Sequence, residues 1–543
     1  MMAIPSRRAI VLAVVLAAGV TFLLLHSAFW SSSSISISPS NWTGADSLNS
    51  GETARRIARM RGKCSAENPF EKQYGRMNLR LSRGYEGSHY KLQQFIHKAL
   101  RGEAVTIAAL GGSITKGHHV WDTEIWFWRF YEWLQDFVGK DIELTHANGA
   151  APAVGSDYFS FCFPLHIPRD SDLVMVELGV NDEAIPEHIG NMENLLRGLL
   201  AMEKTPAVML VEALAFSTGG MGGGGGRMHL PVAQFYDVPV VNQRLPLANH
   251  FGRFPELIRP YFAQDYWGTP DTRHINARGH LDLGMLVAAF VQDVACTMLA
   301  DPDFTMPVNA TAPVLPPHAV PDLENEDKDQ ALALAKSQDA ELHPMQSAWP
   351  ERTRSWRLDP SDTNAGGQLM PGVFNTPDEF GIMPRQKVLD GWNPSLENVV
   401  PPFHPVCLST RSTDPAYDLV PSSTEGWAHW VHPDFQDKPY LVATVPRSWA
   451  KFELETGLGV VKVYALKSKT FGLGNIECWV DDERDKSVEV QGWWDNGEAN
   501  IGRFATIREG LSVGRHTLTC ELLEKTSDPG GGHEFRLIGV MSL

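Results

Sequence analysis

The stretch AVTIAALGGSITKG, residues 104–117, carries the residue whose type and setting best suit covalent chemistry. Residues 104–110 read as a buried strand, Gly111-Gly112 as a tight turn, and residues 121–138 can form the helix that follows. Ser113 therefore stands between a strand end and a helix, with its hydroxyl and backbone N–H opening into the same space. That setting suits an activated nucleophile. Gly and Ser also build ordinary turns, so the stretch taken alone describes a plain strand end just as well. A serine hydroxyl has a high pKa and needs a base, and a tetrahedral intermediate needs hydrogen-bond donors. Those partners must come from elsewhere in the chain.

The elements that would position them alternate from residue 85 onward. Helices read at 88–100, 123–138, 191–203 and 277–299, and strands at 104–110, 142–146, 173–178, 207–213 and, as a short run, 238–241. Strands alternating with helices imply a parallel sheet covered on both faces. Ligand sites in such sheets lie at the carboxyl ends of the strands.

Four blocks at those ends resemble, in order, the SGNH (GDSL-type) hydrolase superfamily. The first is Gly112-Ser113-Ile114, which reads GGSIT where the family usually has GDSIT; the family Asp orders the turn and transfers no proton. The second is NGAAPAVGS, residues 148–156, in which Gly155 best matches the family's oxyanion-hole glycine and Gly149 is the second candidate. The third is ELGVND, residues 177–182, and the fourth is DTRHINARGH, residues 271–280. The resemblance covers about 200 residues. It implies a flavodoxin-like three-layer α/β/α domain with Ser113, Asp271 and His274 as a catalytic triad. It also implies an oxyanion hole made by the Ser113 N–H, the Gly155 N–H and the Asn181 side-chain amide.

The residue types fit those roles. A histidine titrates near neutrality and can take the serine proton. Asp271, three residues earlier, can reach the other imidazole nitrogen and fix the tautomer. Glycine lets backbone approach an acyl oxygen closely. Each residue has a plainer reading by itself: Asn181-Asp182 as a helix cap, His274 as a structural histidine, Asp271 as a turn residue after Pro270. The joint occurrence favours the site. His118, His119 and His146 have no family role and read as surface or substrate contacts. Residues 217–226, STGGMGGGGG, read as a disordered insertion or a mobile flap, the former favoured.

The chain has 543 residues, enough for two to four domains. A net charge of −17, from 47 basic and 64 acidic residues, disfavours a nucleic-acid partner. Arg7 and Arg8 precede residues 9–25, which carry no charge, and apolar character resumes at residues 28–30. At 1.5 Å per residue, 9–30 reaches roughly 30 Å, one bilayer core. This reads as a signal-anchor helix more than a cleaved signal, with the arginines cytosolic and the rest lumenal or extracellular, a type II arrangement. Residues 31–84 read as a stem, 85–300 as the hydrolase domain, 301–390 as a Pro- and acid-rich linker with one helical run at 329–340. Asn41 and Asn309 head glycosylation sequons. Six cysteines without a CxxC pair argue against structural zinc, and Cys478 with Cys520 is the expected disulfide.

Residues 391–543 change character. Strand-like runs recur at 440–445, 450–454, 460–466, 476–480, 488–493, 504–507, 516–522 and 535–540, separated by Gly, Asp and Asn. Such spacing without helices indicates a β-sandwich. Trp427, Trp430, Trp493 and Trp494 either fill its core or stack on sugar rings, the core reading being favoured. Sandwiches attached to SGNH domains resemble accessory modules of carbohydrate esterases.

The expectation is a membrane-anchored serine esterase removing acyl groups, O-acetyl above all, from glycans. No cofactor, metal or nucleotide motif stands in context. Two alternatives are an O-acetyltransferase using the same triad and a catalytically silent glycan-binding protein.

Overall fold

A computed structural model describes residues 50–302, 304, 306, 380–381, 383–384, 386–389 and 405–543, apart from 218, 265–267, 413, 434, 458 and 496–499. The expected anchor at 9–30, the sequons at Asn41 and Asn309 and the helical run at 329–340 lie outside the described residues.

In chain order the first elements are α1 Ser50–Ser65, α2 Pro69–Tyr74, α3 Arg76–Leu81, β1 Arg83–Tyr85, α4 Tyr90–Arg101, β2 Val105–Gly111, α5 Ser113–Lys116, α6 Trp126–Val138 and β3 Leu144–Asn148. They continue with α7 Ser156–Cys162, β4 Leu173–Glu177, α8 Glu187–Leu200, β5 Ala207–Glu212, α9 Gly226–Phe235, β6 Val240–Asn242, α10 Arg244–Arg253, β7 Phe262–Gln264, β8 Pro270–Ile275 and α11 Ala277–Ala300.

The described part of the expected stem is not a stem. Residues 50–84 form α1, α2, α3 and most of the edge strand β1, with Met60, Phe70 and Leu79 buried in the core beneath α6 and α11. A disulfide between Cys64 and Cys296 ties α1 to α11. The sequence hides this because α1 docks mainly through charge. Arg56 and Arg59 both pair with Asp141, at 2.9 and 2.7 Å, and few apolar residues are needed.

The six strands order as β1-β6-β5-β4-β2-β3. β2 to β6 are parallel and β1 pairs antiparallel at the edge. β4 and β5 are buried along their whole length, as a sheet covered on both faces requires. The parallel order 3-2-4-5-6 is the flavodoxin-like doubly wound order, in which the winding reverses between β2 and β4. The carboxyl ends of those two strands flank the crevice where a ligand site is expected. One face packs against α4, α6 and α11, the other against α7, α8 and α9. α11 is apolar enough to cross a membrane by length and composition, with a mean hydropathy of 1.8, but 72% of that window is buried in the domain. It is a core helix.

The rest is all β: β9 Val406–Ser409, β10 Ser423–Glu425, β11 Trp427–His432, β12 Phe435–Ala443, β13 Trp449–Thr456, β14 Val461–Lys467, β15 Asn475–Val480, β16 Val488–Gln491, β17 Ile501–Arg508, β18 Gly514–Leu522 and β19 Phe535–Ser542. Two antiparallel sheets face each other, β10-β13-β18-β15-β16 and β11-β12-β19-β14-β17, with β9 also on β19. The eight expected runs fall on β12 to β19. β9 to β11 were not anticipated; β10 is three exposed polar residues and β11 alternates around two histidines, so neither stands out by composition. Trp427 lies in the sandwich core, 6% exposed. Cys478 and Cys520 sit directly opposite on β15 and β18 and are bonded.

The two domains share packing. Tyr440, Tyr464, Leu466, Ile538 and Met541 of the sandwich belong to the same buried cluster as α7 and α8. Tyr464 Oη donates to Asp157 Oδ1 at 3.1 Å, the hydroxyls of Tyr158 and Ser409 lie 2.8 Å apart, and Cys162 is bonded to Cys407. Replacing Cys162 and Cys407 by Ala together is expected to lower the unfolding free energy by about 2–4 kcal/mol, since the bridge closes a long loop. Chemical denaturation beside the wild type would measure this; an unchanged midpoint would mean that the bridge contributes nothing.

Candidate active site

Ser113 is the first residue of α5, directly after the β2 end and Gly112. The first N–H groups of a helix have no intrahelical acceptor, so its N–H remains a donor beside its own hydroxyl. The Ser113 Oγ lies 2.7 Å from His274 Nε2, and His274 Nδ1 lies 2.5 Å from Asp271 Oδ2. Asp271 and His274 belong to β8, in a two-stranded antiparallel sheet with β7, and not to a parallel strand end or a plain loop. Three residues apart on a regular strand would point to opposite faces. A register irregularity in this pair and the Arg273 N–H bonded to Asp271 Oδ1 at 3.0 Å break that alternation and bring both side chains to one side. Burial raises the Asp271 pKa, but the His274 hydrogen bond and charge outweigh it and hold the carboxyl down at about 2. It is an anion at neutral pH, able to stabilise an imidazolium.

Asn181, 4% exposed, lies against the Gly112-Ser113 turn. Its Nδ2 donates to the Val154 carbonyl at 2.7 Å, immediately before Gly155. An amide has a second proton to offer. Gly155 precedes α7 in extended backbone, and a Cβ there would stand 2.1 Å from Asp182 Oδ1. The alternative glycine, Gly149, donates its N–H to the Ala109 carbonyl at 2.9 Å, so that group is engaged in holding the loop to β2. Gly112, where the family has Asp, has a physical reason as well. A Cβ there would lie 2.5 Å from Asn181 Oδ1 and 2.7 Å from Nδ2. In this chain the amide of Asn181 occupies the space that a side chain at 112 would need.

No protein-family model matches the sequence, and no curated protein does. Among solved structures it is similar to the crystal structure of a two-domain esterase, CEX, active on acetylated mannans. The identity is 18% and the TM-score 0.54, covering 86% of this chain and 98% of that one. The same esterase co-crystallized with mannopentaose matches at 17% identity and TM-score 0.54, over 86% and 97%. The two chains share one two-domain fold. The likeness runs through the α/β domain and the sandwich alike.

Two further histidines crowd Ser113, His274 and Asp271. The rings of His118 and His274 have centroids 4.7 Å apart, and His119 Nε2 lies 3.6 Å from Asp271 Oδ2. Burial, then His274, His119 and Lys438 of the sandwich, push His118 down to about 4, so it is neutral at pH 7. Burial and His274 lower His119 too, against the pull of Asp271. Nitrogens of His118, His119 and His274 lie within 4.8 Å of one another, close enough to hold a cation. Both His274 nitrogens already meet Ser113 and Asp271, so a cation there would compete with those contacts. His146 instead packs on Trp128 and Tyr131.

Beneath the site runs a buried polar row that sequence reasoning missed, Asp182 apart. Asp182 is fully buried and accepts from the Ser156 N–H at 2.9 Å and from His229 Nε2 at 2.8 Å. His188 Nδ1 lies 3.3 Å away. Burial raises the Asp182 pKa, but the two histidines bring it to about 2; burial lowers His229, but Asp182 and Glu212 raise it to about 9. Glu177, with Thr115 Oγ1 donating to it at 2.9 Å, is pushed by burial up to about 8. No motif marked His229 or Glu212, and Glu177 opens the ELGVND block without a role in it. Only the glycine tract hinted at the contact. Its end is a packed loop rather than a disordered insertion or flap, because the Gly225 N–H bonds the Asp182 carbonyl at 3.0 Å. A Cβ at Gly225 or Gly226 would strike Asp182 or Glu212.

Two predictions follow from these contacts. Gly112→Ala is expected to lower turnover about 10²–10³-fold, the usual cost of one oxyanion donor, by displacing Asn181. Adding Asn181→Ala to it should cost little more, since both act on the same donor; steady-state kinetics of the four forms would reveal additivity if the coupling is absent. The second concerns pH. Folded Glu177 and His229 keep protons that the unfolded chain releases near 4.5 and 6.5. Their stabilisation is full below those values and lost as pH rises through about 8 and about 9. Above about pH 7.5, where the buried neutral histidines His97, His118, His166 and His280 no longer contribute a slope, the melting temperature should therefore fall up to about pH 9.5, with a flatter upper half in His229→Gln; differential scanning fluorimetry would show it.

Proposed function

We infer that the chain is an SGNH-type serine esterase that removes O-acetyl groups from glycans, polysaccharides of the acetylated-mannan kind being the first substrates to test. The observation that carries this is the Ser113–His274–Asp271 relay, with contacts of 2.7 and 2.5 Å, beside Asn181 and Gly155 at the switch point of the sheet. The two-domain fold shared with an esterase active on acetylated mannans supports the substrate class.

The proposed steps use only these groups. His274 Nε2 takes the Ser113 proton as Oγ attacks the ester carbonyl. The Ser113 N–H, Gly155 N–H and Asn181 amide receive the oxyanion, and Asp271 balances the imidazolium. His274 then protonates the departing sugar hydroxyl. A water, deprotonated by His274, releases acetate and restores Ser113. If a sugar hydroxyl replaced that water the same triad would transfer the acetyl group.

The three disulfides point to an oxidising, extracellular or secretory environment. A type II anchor over residues 9–30 would place the catalytic domain there.

Wild-type protein is expected to hydrolyse p-nitrophenyl acetate and to release acetate from acetylated mannan. Ser113→Ala should abolish both, and Asp271→Asn should lower turnover about 10⁴-fold. Activity surviving in Ser113→Ala would remove the serine mechanism. Acetyl appearing on an added oligosaccharide in place of free acetate would select the transferase.

A further inference from the structure

The loop that carries Gly155 is held from outside its own domain. Pro152, Ala153 and Val154 present three consecutive carbonyls, and each accepts one hydrogen bond. Arg411 Nη1 donates to the Pro152 carbonyl, the Gly502 N–H to Ala153 at 3.0 Å, and Asn181 Nδ2 to Val154 at 2.7 Å. Arg411 follows β9 and Gly502 lies on β17, so two of the three donors belong to the β-sandwich. Ala153 has φ +59°, a left-handed conformation unfavourable for a residue with a Cβ. Such a residue keeps its conformation only where its surroundings impose it. Here the imposing groups are those of the sandwich.

The turn carrying Asn181 is gripped by the same strand. Arg503, next to Gly502, pairs with Glu183 and lies 3.5 Å from the Asn181 carbonyl and 3.7 Å from Asp157 Oδ2. Glu183 also meets His188 Nε2 at 3.0 Å. The Arg503 side chain is only 15% exposed, so its charge is committed to these partners. Both walls of the oxyanion pocket, the 152–155 loop and the 181–183 turn, are thus pinned by side chains and backbone some hundreds of residues later in sequence.

We propose that the β-sandwich is a structural half of the oxyanion hole, with Arg411 and Arg503 as positioning residues that set the Gly155 N–H and the Asn181 amide against Ser113. The inference rests on the serine-esterase reading for its chemistry. Its structural content, that these arginines order the two segments, stands on the contacts alone. A sandwich serving only to hold glycan would have no influence on a small ester that does not reach it.

The test uses Arg411→Lys and Arg503→Lys in the full chain, which keep the charge but lose the forked guanidinium. With p-nitrophenyl acetate, kcat is expected to fall about 10- to 100-fold, as for slight misplacement of catalytic donors, with KM within about 2-fold. Affinity for an alkylboronic acid, which forms a tetrahedral adduct on serine, should fall by a similar factor. In an Asn181→Ala background Arg503→Lys should cost much less, because the donor it positions is gone. Circular dichroism and melting temperature would show whether the fold is retained. Amide hydrogen exchange supplies a readout independent of turnover: peptides covering 149–162 and 178–184 should exchange faster in the variants, and β13 and β18 should not. Wild-type kcat and unchanged exchange in both variants would overturn the proposal. Faster exchange confined to these segments in the variants, beside a wild type that lacks any Ser113-dependent activity, would uphold the positioning role while removing the esterase reading.

Discussion

One buried carboxylate organises the centre of the molecule. Asp182 is fully shielded from water, and a charge in that place needs partners. It finds them in the Ser156 N–H, His229 and His188, drawn from three different segments. Satisfying Asp182 therefore fixes the start of α7, the start of α9 and the first turn of α8 relative to the end of β4. The close approach also dictates two glycines, because a Cβ at Gly155 or Gly225 would stand 2.1 or 2.3 Å from Asp182 atoms. What looks in sequence like permissive backbone is required by the size of a neighbouring side chain.

The same logic explains the departure at position 112. Asn181 and a side chain at 112 compete for one volume, and in this chain the amide holds it. Glycine there and asparagine at 181 are one solution rather than a loss. Thr115, within the single turn of α5, then ties the Ser113 segment down by donating to Glu177 while accepting from Trp126 Nε1 at 3.1 Å. The turn is held by its hydroxyl contacts beneath, not by a carboxylate of its own.

The sandwich enters this arrangement as packing and as polar contact. Its tyrosines share a core with α7 and α8, a disulfide crosses the boundary, and Arg503 closes the charge balance of Asp157 and Glu183. A largely buried ion network that spans two domains couples their positions, because a shift of one against the other would leave charges in the contact without partners.

Much of the site was legible in the order of residues. Ser113, Asn181, Asp271 and His274 stand in short blocks whose local chemistry is distinctive, and apolar runs marked the layers, the parallel strands and eight strands of the sandwich. These signals are local: they depend on near neighbours and on the period of burial. Tertiary structure alone decided the rest. The helices at 50–81 join the core through a disulfide, a few charge pairs and the scattered buried side chains Met60, Phe70 and Leu79, too few to leave a periodic trace. Glu177, Glu212 and His229 come together from three elements, although no sequence block assigns any of them a role. Gly112 gained its meaning only from Asn181, and the 152–155 loop only from Arg411 and Gly502. The sequence determined which groups could do the chemistry and on which kind of scaffold. Distances between segments hundreds of residues apart decided how those groups are held, because buried polar atoms must find partners wherever the fold brings them.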